Sequence, residues 1–318
     1  MSHESALSPA AAAPPTIVEQ RIAGFLLNLR GRNLSVNTID SYRKDLAGFA
    51  EYVGPAEWRE IDHTLIRSYL GHLYDRGLSK ASAARALSAL RSLYKWMASE
   101  GLVEQNPAAL IRSPKLPKKL PRVPTIEEMN RLLDGAMPER DAFPERDRAM
   151  LELLYGSGIR NSELAGLDLL DIRWESDSML VRGKGSKERL VPLGGAAAQA
   201  IRGYLPRREE ILACRRKDTA ALLVNLRGTR LTTRSIRRIV KTLAVAGGLS
   251  ADVHPHTLRH AFGTHLLEEG AGLRDIQEMM GHGRLSTTQR YTQLSSKKLR
   301  EVYTHTHPHA GISTENRD

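Results

Sequence analysis

The residue types best suited to chemistry lie in HPHTLRHAFGTHLLEEGAGLRDIQEMMGHGRLSTTQRYT, residues 254–292. His256 and Arg259 stand three apart, so a helix puts them on one face, where both reach one ligand. His282 lies between Gly281 and Gly283, a turn signal. Tyr291 follows nine residues later, inside a helix whose start is marked by Ser286 and Gln289 at capping-box spacing. Histidine, arginine and tyrosine suit a phosphodiester: cations hold the non-bridging oxygens and the phenol can act as nucleophile. His254, His260 and His265 invite a zinc reading, but there is no HExxH and no cysteine partner. No metal is expected.

Cleavage by a tyrosine asks for an aligned nucleophile, stabilisation of the phosphorane's added charge, and a proton for the leaving oxygen. Two upstream stretches carry candidates. GSGIRNSELAGL (156–167) holds Arg160, whose guanidinium stays charged and can bind two oxygens. Glu163, three residues on, can orient that arginine or simply pair with it. VRGKGSKERLVPL (181–193) places Lys184 and Lys187 at a hairpin tip, from which an ammonium can reach a groove. The order GKGS is not GxxxxGK[ST], so ATP use is not indicated.

HTLRHAFGTHLL, MMGHGRLSTTQRYT and the two upstream stretches, in this order, resemble the tyrosine recombinases of the phage-integrase type, and within them the Xer group. The likeness covers nearly the whole chain after residue 16, and the closing VYTHTHPHA (302–310) narrows it to one branch of that group. It implies Tyr291 as nucleophile, forming a 3′-phosphotyrosine, with Arg160 and Arg259 as the phosphate clamp. His256 would bond a phosphate oxygen or take the tyrosine proton, and His282 would donate to another oxygen. Lys184, matching the family's motif position better than Lys187, would protonate the leaving 5′-hydroxyl, and Glu163 would support Arg160. No cofactor is implied.

The implied partners are duplex DNA at a specific recombination site, a second Xer recombinase in a cyclic heterotetramer, and a DNA-translocase activator. The implied task is resolution of chromosome and plasmid dimers through a Holliday junction during cell division. LSSKKLREVYTHT, after the tyrosine, looks like a helix that docks on a neighbouring protomer. Asn161 and Arg290 depart from the small or branched apolar residues of the pattern. The rivals are a phage or integron integrase, for which the N-terminus offers no room for an arm-binding domain, a type IB topoisomerase, and an idle DNA-binding module.

The elements that must position these groups are mainly helical. IVEQRIAGFLLNL carries Ile17, Ile22, Phe25, Leu26 and Leu29 near a 3.6 period. Ser35 is a cap for a helix whose buried stripe is Ile39, Tyr42, Leu46, Phe49 and Tyr52. Further helices are expected over 62–76 and 79–100, the last burying Ala84, Leu87, Leu90, Leu93, Tyr94 and Met97. Arg85, Arg91 and Lys95 lie on or near its other face: a solvated surface on sequence grounds, a DNA-facing one if the resemblance holds. SPKLPKKLPRVP (113–124), with four prolines and four basic residues, is an extended linker. Thr125-x-x-Glu128 opens the next helix, and ERDRAMLELLYGSGI forms an apolar one ending at Gly156 and Gly158. Short strands follow over 179–182 and 188–192. Arg234, Arg237, Arg238 and Lys241 then make one helical stripe, a candidate DNA contact.

The expected organisation is a disordered tail (1–15), a helical core-binding, SAM-like DNA clamp (16–112), the linker, a catalytic domain (125–305) and a flexible tail (306–318). The fold class is mainly α with a small antiparallel sheet, the DNA breaking-rejoining fold that the resemblance implies. With 318 residues, two cores are the better expectation. A net charge of +11 points to a polyanionic partner. One cysteine, Cys214, excludes an internal disulfide framework and fits a reducing compartment. No leader and no apolar span are recognisable, so a cytoplasmic location is expected.

Overall fold

The computed structural model describes residues 14–58, 60–115, 122–135, 143–183, 187–281 and 293–308, with the side chains of 293–299 left out. Lys184, His282, Arg290 and Tyr291 lie outside the described residues. The chain divides into two compact units, Met1–Lys119 and Leu120–Asp318.

The first unit is four helices, each begun by a side-chain cap: α1 (Ile17–Gly31), α2 (Val36–Val53), α3 (His63–Asp75) and α4 (Lys80–Ser99). Thr16 and Glu19 form a reciprocal capping box on α1, and Ser35, Asp62 and Ser79 each accept from the third residue on. Val18, Leu46, Phe49, Ile66, Leu87 and Leu93 close a core with no exposure. Tyr42 and Tyr52 sit at its margin rather than inside, their hydroxyls 3.3 Å from Ser92 Oγ and 2.8 Å from Ser68 Oγ. On α4 the small residues Ala83, Ala86 and Ala89 are the inward ones and Ala84 is only half-buried, because close helix packing selects small side chains that a hydrophobicity pattern under-weights.

Arg91 is engaged within the first unit. Its guanidinium donates to the carbonyls of Ala108 (3.1 Å) and Ile111 and to Ser113 Oγ (2.9 Å), tying down the 3₁₀ turn Pro107–Leu110. These bonds give Arg91 a structural role in the first unit. Arg85 is held by both oxygens of Asp45, at 2.8 and 2.9 Å, while Lys95 is exposed.

The second unit is built around α6 (Pro144–Gly156), buried on all sides through Ala149, Met150, Leu151, Leu153, Leu154 and Tyr155. Around it run α5 (Ile126–Asp134), α7 (Asn161–Gly166), α8 (Gly195–Arg215), α9 (Thr233–Ala246), α10 (Pro255–Glu268), α11 (Leu273–Met280) and α12 (Gln293–Thr306). The sheet is antiparallel in the order β1 (Ile172–Arg173), β2 (Ser178–Arg182), β3 (Glu188–Pro192). Its register pairs Val181 with Arg189 and Arg182 with Glu188 on either side of the hairpin. Helix α8 has little sequence signal because Pro206 interrupts it and one inward position is Arg208, which donates to the carbonyls of Thr219 (2.7 Å) and Ala221 (3.0 Å).

One expectation about the C-terminus is corrected. The His-rich run is not a tail from residue 306: His307 is 4% exposed, stacked on Tyr303 (centroids 5.0 Å, 16°) and packed against Tyr155 and Phe262. The helix after the tyrosine also sits on its own unit in this structure. Tyr303 is buried against Gly194, where a Cβ would lie 2.2 Å from its hydroxyl, and Arg300 pairs with Asp177.

Candidate active site

Arg160 stands at the N-cap of α7, two residues after a left-handed glycine, Gly158 (φ +57°). Its backbone N–H donates to Glu163 Oε2 (2.8 Å) and its guanidinium to Glu163 Oε1 (2.8 Å). A third bond runs from Nη2 to the carbonyl of Gly281 (2.9 Å). The side chain remains 41% exposed, so a charged face is left for a ligand.

Arg259 comes from α10, yet converges on the same place. One nitrogen donates to the carbonyl of Gly158 and another to that of Met280. Burial pushes its pKa down to about 10, with the neighbouring Arg160 charge adding to the effect. It still remains protonated at neutral pH. Carbonyls 280 and 281 are the last acceptors of α11, where the helix dipole is negative and unsatisfied C=O groups are available. Two guanidiniums thus share one helix end.

Gly281 must be a glycine on two grounds. It is left-handed (φ +65°), and a Cβ would lie 2.9 Å from Arg189 Nε. Arg189 is the member of this cluster that sequence reasoning missed. It is 8% exposed, donates to both oxygens of Glu163 (2.8 and 2.9 Å) and reaches the carbonyl of Met279 at 3.3 Å. The available signal was register: in ERLVP it alternates with Val191, on the inward side of β3. Burial alone would raise the Glu163 carboxyl, but the bonds and charge of Arg189, aided by Arg160, outweigh it and hold the pKa at about 2. Three guanidiniums around one carboxylate leave the cluster two positive charges in excess. That excess suits a phosphodiester passing through a dianionic phosphorane.

His256 is exposed one turn before Arg259 on α10, and His254 caps that helix with Thr257. His265 points elsewhere: it is 2% exposed, with ring nitrogens 2.9 Å from Tyr155 Oη and 2.9 Å from the Pro124 carbonyl. Asn161 donates to the Thr233 carbonyl (3.0 Å), stitching α7 to the start of α9. On α9, Arg234, Arg237, Arg238 and Lys241 are exposed together, and none has a hydrogen bond or ion pair among the described residues. Glu163 is placed to hold Arg160 as anticipated. Lys184, His282 and Tyr291 cannot be placed against these groups.

A helical unit with a small antiparallel sheet and clustered guanidiniums defines the DNA breaking-rejoining class. The fold matches lambda integrase (75–356) bound to a COC′ core site, with a TM-score of 0.65 at 20% identity, over 86% of this chain and 97% of that one. The chain belongs to the phage integrase family, whose model matches residues 123–298, while the family's N-terminal SAM-like domain matches 22–101. It is 47% identical to the tyrosine recombinase XerC of Myxococcus xanthus over 284 residues, 87% of this chain and 93% of that one. Identity to the tyrosine recombinase XerC of Pelotomaculum thermopropionicum is 42%, over 91% and 98%.

Proposed function

We propose that this protein is a site-specific, XerC-like tyrosine recombinase acting on duplex DNA. In this reading Tyr291 Oη attacks the scissile phosphorus, the 5′-oxygen leaves, and a 3′-phosphotyrosine keeps the bond energy for rejoining. Arg160 and Arg259 hold the non-bridging oxygens, His256 bonds a phosphate oxygen or takes the proton the Tyr291 phenol gives up, and His282 donates to another oxygen. Lys184 protonates the leaving 5′-oxygen. Arg234, Arg237, Arg238 and Lys241 bind the backbone of the duplex, with Arg85 and Lys95 in the N-terminal clamp. The protein works in the cytoplasm, with a second, XerD-like recombinase in a cyclic tetramer and a translocase as activator, resolving chromosome and plasmid dimers at cell division.

The observation that carries the reading is the convergence of Arg160 and Arg259 on adjacent carbonyls of α11, the helix leading into the segment with His282 and Tyr291. The test is covalent trapping. The protein is incubated, in EDTA and without ATP, with a nicked duplex carrying its own chromosome's candidate dimer-resolution site, with a partner recombinase present. Labelled DNA is expected to stay on the protein in denaturing gels, and Tyr291→Phe is expected to lose the adduct. No adduct in either would leave the idle DNA-binding module as the better reading. Relaxation of supercoils without site preference would indicate a topoisomerase.

A further inference from the structure

Arg189 ties together three segments, β3, α7 and the end of α11. It leaves β3, the strand that follows the hairpin bearing Lys184. Its fork takes both oxygens of Glu163, at 2.8 and 2.9 Å. Its Nε reaches the Met279 carbonyl at 3.3 Å, one residue before the carbonyl that receives Arg259 and two before the one that receives Arg160. Glu163 accepts four bonds, two from Arg160 and two from Arg189, so each carboxylate oxygen is shared between the arginines. Remove Arg189, and the carboxylate is free to rotate toward Arg160 alone. The end of α11 then loses one of its three guanidinium anchors.

We infer that Arg189 is a positioning residue for strand cleavage: through Glu163 and the α11 terminus it sets the orientation of Arg160 toward the scissile phosphate. The inference rests on the reading of Arg160 as a phosphate-holding residue. Arg189 is 8% exposed and does not touch DNA on this account, so it governs the rate of cleavage and not affinity.

The test is single-turnover covalent cleavage of the nicked duplex beside equilibrium DNA binding, for the full chain and the variants R189M, R189K, E163Q, R189M/E163Q and R160A. Misplacement of a catalytic group by about an ångström lowers rates by about a hundredfold, so R189M is expected to cleave about a hundredfold slower with affinity unchanged within about twofold. Because the two residues act as one unit, R189M/E163Q is expected to cleave about as slowly as the slower single variant, not at the product of the two losses. R189K keeps the charge without the fork and is expected to lose about tenfold in rate. It carries the test should R189M fail to fold by circular dichroism. Wild-type cleavage by the folded variants, additive losses in the double, or a loss of affinity matching the loss of rate would each overturn the role. If R160A also cleaves like wild type, the assignment of Arg160 falls with it. An inactive R160A beside a fully active R189M sinks the positioning role alone.

Discussion

Replacing Glu163 by glutamine tests the charge balance of the site directly. The carboxylate side chain is 2% exposed, and its pKa is depressed from 4.5 to about 2. Burial opposes ionisation there, so the depression reports how strongly Arg189 and Arg160 favour the anion. A folded-state pKa below the unfolded one stabilises the protein fully above pH 4.5, and that contribution is lost as pH falls toward 2. The difference amounts to about 3 kcal/mol at pH 7, and linkage leaves roughly half of that at pH 3. Glutamine keeps the shape but removes the charge, leaving two guanidiniums facing each other across a neutral amide. Loss of one partner from a buried pair typically costs about 3–5 kcal/mol, in line with the linkage figure. For a unit of this size that is a fall of roughly 6–20 °C in the Tm of its transition. Urea denaturation of wild type and Glu163→Gln at pH 7 and pH 3, followed on the transition of the second unit, measures both gaps. The gap is expected to shrink by about half in acid. A gap that stays constant between the two pH values would refute the reasoning, because it would assign the loss to packing rather than charge.

Two further outcomes are expected. Arg237→Ala should weaken DNA binding similarly across sequences and lower the slope of log affinity against log salt by about one; an unchanged slope would return the α9 stripe to ordinary solvated surface. Gly158→Ala places a side chain at φ +57°, with its Cβ 2.3 Å from Phe262 Cδ1. It also displaces the carbonyl that receives Arg259. A loss of about 2 kcal/mol or more in urea, together with loss of the covalent adduct, is expected; wild-type stability would show that the turn relaxes freely.

Much of this protein is local in origin. Ser35 and Thr125 cap their helices through bonds to residues three positions on, so spacing alone predicts them. The apolar stripe of α2 and the strands flanking the hairpin follow from periods of 3.6 and 2, again over a few residues. Motif order named the candidate cations Arg160 and Arg259 and the supporting Glu163. These features need no knowledge of which segments meet.

Tertiary structure decided the rest. Arg91, Arg208 and Arg189 are written with the same letter as surface arginines, yet each is bound to groups that the sequence cannot single out. Every residue carries a carbonyl, so nothing in the string marks 158, 280 and 281 as the ones that hold the clamp. The same holds for His307, polar in composition but placed by packing among Tyr155, Phe262 and Tyr303. The sequence by itself determined the elements and the kind of chemistry, because caps and periodicity act within a few residues. Which arginines face a phosphate and which hold the scaffold depended on long-range backbone contacts, and those exist only once the chain has folded.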